Sequence, residues 1–136
     1  MPIQDAPDGT VWTEIISVVV DTPTPPSPAH EKAITRLHRL STALLAYGQV
    51  VEWTVTAATI GVLRFVEMES DNYAKTRFKL TIAGKEQFAD KQIEASLSLE
   101  WPDVRLAAGV QVLLEAASSD LTAINVDGDI LGKEIG

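Results

Sequence analysis

The sequence predicts an α+β domain. Its main part is an antiparallel sheet of about seven or eight strands, curled into a sandwich or partial barrel, with one amphipathic helix at about residues 28–47 packed on it. Three observations carry this. Short runs of alternating apolar and polar residues recur between turn formers. A single stretch switches to an apolar period of three and four. No uncharged apolar run approaches the roughly 18 residues of a membrane helix.

The clearest alternation runs from Gln92 to Trp101. Ile93, Ala95, Leu97, Leu99 and Trp101 face one way, and Gln92, Glu94, Ser96, Ser98 and Glu100 the other. Pro102-Asp103 follows as a turn, and a second strand starts at Val104. Pairing Trp101 with Val104 sets Leu99 against Leu106 and Ile93 against Val112. Glu100 then meets Arg105. A one-residue slip would oppose apolar and polar faces, so this register is strongly specified.

The helix is predicted from Ala33, Ile34, Leu37, Leu40, Leu44 and Tyr47, which form one stripe at helical spacing. Ser27 fits an N-cap, Pro28 the first helical position, and Gly48 a left-handed stop. Lys32, Arg36 and Arg39 fall off the stripe.

The remaining elements follow in order. Residues 1–10 are polar and read as a flexible arm; residues 11–136 read as a single domain. Val11–Val20 is β-branched and apolar on both faces towards its end, as a buried strand is. Asp21–Pro28 is a stiff, proline-rich connector. Val50–Thr56 is a strand that a bend at Ala57–Thr59 could continue. Gly61–Glu69 and Tyr73–Ile82 form a second hairpin, matching Phe65 with Phe78 and Leu63 with Leu80. Gly84–Lys91 is a loop or one helical turn. Asp127-Gly128 is a strong hairpin signal and closes a last small hairpin.

Composition narrows the chemistry. The chain of 136 residues has no cysteine and a formal charge of −8. Disulfides and thiolate catalysis are excluded, and a free nucleic acid or an anionic membrane is a poor partner for so acidic a chain. The N-terminus has no basic start or apolar core of a signal peptide. The expected setting is cytoplasmic or within a particle such as a virion.

Each candidate site has a simple structural account. Asn125, Asp127, Gly128 and Glu134 match parts of an EF-hand loop, but Ala123 stands where the first oxygen ligand belongs, so a hairpin fits better. His30 and His38, eight residues apart on one helix, cannot share a metal. Glu67 and Glu69 share a strand face, as glycosidase carboxylates could, and pair more simply with the basic strand that follows. Tyr73, Lys75, Arg77 and Lys79 form a basic ladder. With Asp127 and Asp129 they make up the expected interaction surface. Trp12, Trp53 and Trp101 each fall in a strand.

No catalytic constellation, cofactor loop or metal set is present in the sequence. The expected function is therefore a non-enzymatic structural subunit. It would assemble with copies of itself or with other structural proteins, for example in the head, neck or tail of a virion. The helix-and-meander outline is similar to cystatin-like and hotdog-like folds and to tail-tube-type phage proteins. It implies as alternatives a small-molecule binding domain or a hotdog-like enzyme, with a pocket between helix and sheet walled by Trp53, Phe65, Phe78 and Trp101. A module that adds a strand to its partner is a third possibility.

Overall fold

The computed structural model describes residues 30–136. The expected arm at residues 1–10, the strand Val11–Val20 with Trp12, the connector Asp21–Pro28 and the cap at Ser27 lie outside the described residues.

Among the described residues eight strands follow one another: β1 (Glu31–Thr42), β2 (Gly48–Thr54), β3 (Ile60–Ser70), β4 (Thr76–Ile82), β5 (Lys85–Lys91), β6 (Leu97–Leu106), β7 (Gln111–Ser118) and β8 (Ile124–Ile135). They form two four-stranded antiparallel sheets. The first has the order β1-β8-β3-β6 and the second β2-β7-β4-β5. The architecture is sandwich-like, because the core draws on both sheets: Val66, Met68, Val126 and Ile130 from the first, and Trp53, Phe78, Leu80 and Leu114 from the second. The alternation that buries one face of each strand is thus the main signal read correctly from sequence.

The expected helix is absent: no α-helix occurs among the described residues, and most of its span is β1. The apolar stripe was real but does not describe a helix face. On the strand, Ile34 is buried and Leu40 half-buried on the inner side, while Leu37 points outward. β1 pairs with β8 along its whole length, from Glu31–Ile135 to Thr42–Ile124. That ladder outweighs a helix propensity of a few tenths of a kcal/mol per residue. Gly48 opens β2 instead of stopping a helix.

The hairpin around Pro102-Asp103 is also overturned. Gln92–Ser96 forms a loop, and Leu97–Leu106 is a single strand with Pro102 inside it. Its partner is β3. Leu63 lies opposite Val104 and Phe65 opposite Glu100, so Trp101, Pro102 and Asp103 face Arg64 alone. Proline is tolerated there because β6 is an edge strand and the position is a bulge. The chain reverses at residues 107–110, where Gly109 has φ +82° and its N–H donates to the Val55 carbonyl at 2.9 Å.

The second expected hairpin has correct strands and incorrect pairing. β3 and β4 lie in different sheets, joined through a 3₁₀ turn at Tyr73–Lys75. Their apolar rows meet across the core instead of side by side. Ala57–Thr59 is a turn with Ala58 left-handed, and Gly84–Lys91 contributes strand β5 after the tight turn Ala83-Gly84, both with positive φ. Asp127-Gly128 is no turn: it lies in the middle of β8. Gly128 is needed there because a Cβ would stand 2.6 Å from a Leu114 methyl and 2.9 Å from one of Val50.

Candidate functional site: the outward face and free edge of the first sheet

The outer side of the first sheet carries an unusual charge arrangement. Antiparallel register sets Asp129 of β8 opposite Glu67 of β3, and Asp127 opposite Glu69. Four carboxylates therefore stand as two directly facing like-charged pairs, which destabilises a sheet. They line a shallow pocket of about 240 Å³ flanked by Leu37 of β1, Ser98 of β6 and Ser96 just before it. Ser98 donates to Glu67 at 3.2 Å.

The pairs are relieved unequally. Arg39 of β1 grips Asp127 with two bonds of 2.7 and 2.9 Å, and holds that carboxyl below its ordinary range. Asp129 has no such partner. Its Oδ1 is shielded from water and has no hydrogen-bond partner among the described residues. Desolvation, followed by the Glu67 charge, pushes it up to about 6.

The residues predicted from sequence are not brought together. Asp127 and Asp129 lie on the outer side of the first sheet; Arg77 and Lys79 are on β4 of the second. Tyr73 and Lys75 sit in the 3₁₀ turn, off the strand. The ladder is also largely satisfied within the chain. Lys75 binds Asp120 at 2.7 Å, Arg77 donates to the Thr76 carbonyl at 3.0 Å, and Lys79 lies 5.5 Å from the centre of the Tyr47 ring. Tyr47 in turn bonds Asp90 of β5 through its hydroxyl, and burial with that bond raises it to about 12. Glu67 and Glu69 do share a face, but they meet Asp129 and Asp127 and not the basic strand.

The calcium reading finds no loop: Asn125 binds Asp71, Asp127 binds Arg39, and Glu134 turns into the core. Among the described residues no group of three or more potential ligands could hold a metal. His38 lies on β1 and donates through Nδ1 to the Val50 carbonyl at 2.8 Å. Trp53 and Phe78 are packed in the core, Phe65 is half-buried on the outer side of β3, and Trp101 sits at the bulge of β6. With the helix gone, the expected pocket between helix and sheet has lost one wall.

Sequence reasoning missed the edge of β1. Among the described residues four strands bound the two sheets: β1, β6, β2 and β5. Three of them are interrupted. β6 carries Pro102 in a bulge, β2 skips a register step at Val50, and β5 has two register shifts and a left-handed Asp90. β1 runs 12 residues with no register shift, no glycine and no proline. Among the described residues nothing pairs with its second edge. Leu37, at its centre, is 74% exposed.

No protein-family model matches this chain, and no curated protein matches it in sequence. No helix among the described residues is long and apolar enough to cross a membrane.

Proposed function

We propose that this chain is a non-enzymatic structural subunit that enters a larger assembly by accepting a strand at the edge of β1 that no described strand occupies. The observation that carries the reading is the contrast among the four edges. Proteins that remain alone blunt their edges with bulges, prolines, short strands or charges; three edges here break the ladder itself, whereas β1 carries only charge, at Lys32, Arg36 and Arg39. The long uninterrupted edge of β1 is a template for main-chain pairing, with Leu37 as an apolar anchor beside it. The partners are copies of the chain or other structural proteins, in a particle such as a virion, and neither free nucleic acid nor membrane.

The test is light scattering coupled to size exclusion across a concentration and salt series, on the wild type and on Leu37→Lys. Leu37 is exposed, so the substitution leaves the core intact. Wild-type protein is expected above the monomer mass of 14.7 kDa, and the variant at it. The reading is overturned if the wild type stays monomeric throughout and captures nothing from its native source that Leu37→Lys fails to capture.

A further inference from the structure

Resting on that reading, we infer that the strand accepted at β1 is β1 of a second copy, antiparallel, with a twofold axis at Leu37. An isologous pairing requires a strand complementary to its own reverse. From Lys32 to Thr42 the sequence has this property in side-chain class. About Leu37, Arg36 mirrors His38, Thr35 mirrors Arg39, Ile34 mirrors Leu40, Ala33 mirrors Ser41 and Lys32 mirrors Thr42. Polar meets polar, small meets small and apolar meets apolar at every step.

The faces agree as well. A twofold axis perpendicular to the sheet keeps inner residues inner and outer residues outer. On the inner side Leu40, half-buried in the single chain, would be covered by the Ile34 of the second copy, while Ile34 is already buried at 2% exposure. Leu37 would meet its own copy on the outer side and lose the exposure that it has alone. Neighbouring registers break the match. An axis at Arg36 sets that guanidinium against itself and Ile34 against His38. An axis at Thr35 sets Ile34 against Arg36 and Lys32 against His38. The product is one continuous eight-stranded sheet built from two copies of β6-β3-β8-β1.

The chain has no cysteine, so a single introduced thiol reports one position. Directly opposed Cβ atoms stand about 4.5–5.5 Å apart in such a pair, close to disulfide reach. In the proposed register the two Thr35 residues would be displaced by four positions, roughly 14 Å along the strand. Under mild oxidation Leu37→Cys is therefore expected to form covalent dimers roughly tenfold faster than Thr35→Cys. Mixing Thr35→Cys with Arg39→Cys should restore cross-linking that neither shows alone. The twofold pairing is overturned if Leu37→Cys cross-links no faster than Thr35→Cys. If Leu37→Lys still abolishes assembly in that case, strand acceptance at β1 stands and only the partner or register is wrong. If assembly does not depend on β1, both fall.

Discussion

Two carboxylates on β8 are five residues apart and meet opposite fates. Glu134 faces the core at 3% exposure. Burial alone would raise its pKa, yet the Trp53 indole N–H at 2.9 Å and the Thr56 backbone N–H at 3.0 Å outweigh it and leave the carboxyl below its ordinary value. Asp129 faces outward, and desolvation followed by the Glu67 charge raises it to about 6. It lies beside like charge and has an oxygen without a donor. Desolvation acts on both carboxyls, and only at Glu134 do N–H donors outweigh it. One acid tethers the second sheet to the first; the other weakens the face on which it sits.

The comparison can be broken most directly at the inner site. Glu134→Ala leaves two shielded N–H groups without an acceptor and is expected to cost about 2–4 kcal/mol in denaturant unfolding. A loss below roughly 1 kcal/mol would mean that the tether is incidental. Trp53→Phe keeps an aromatic side chain, though a smaller one, and removes one donor. Combined with Glu134→Gln in a double-mutant cycle, which cancels the packing loss, it should show coupling of about 1–2 kcal/mol between these contacting residues.

The outer site should respond with the opposite sign. The folded state holds a proton on Asp129 that an ordinary carboxyl has already released, so stability falls as pH rises from about 4 to about 6. Asp129→Asn should therefore stabilise the protein at pH 7. After discounting for solvent screening the gain is about 1 kcal/mol, and it should vanish towards pH 4. Thermal melts over that range read it directly. The contribution of Glu134 runs the other way: it is present above the ordinary glutamate range and lost as pH falls through the lowered value. Smallest of all is Arg39→Gln. Its ion pair is solvent-exposed, so its removal should leave the melting temperature almost unchanged while raising the pKa of Asp127, read by carboxyl NMR titration.

Much of the inward-facing pattern was legible in the sequence, whereas strand pairing was not. Leu97, Leu99 and Trp101 do share a side, and Val104 and Leu106 continue it. A two-residue turn and a bulge at Pro102-Asp103 both shift the alternation in this way, so the sequence pattern alone cannot separate them. At β1, only Ile34 and Leu40 mark the inner side. With Leu37 outside, two inward residues six apart and one outward between them also fit a helical period. Asp127-Gly128 looked like a turn because the glycine requirement came from Leu114 and Val50 across the core, contacts that no local window contains. In the sequence Glu134 stands out only as the end of a calcium-type loop. Its true sign was an acid on the inner parity of a strand, with a tryptophan elsewhere needing an acceptor.

The path of the chain between the sheets has a kinetic consequence. Sheet membership alternates at every connection except β4 to β5, and β8 fills the place between β1 and β3. Among the described residues the only hairpin with both strands adjacent in sheet and sequence is therefore the short one at Ala83-Gly84. Nearly every other ladder closes a long loop, so little of the native pairing can reward an early, local nucleus. On a ribosome, β1 and β3 emerge with a gap between them that stays open until residues 124–135 arrive. Until then their apolar sides and backbone edges are exposed together. Folding on the slower millisecond-to-second scale, with exposure to aggregation during that window, follows from the topology.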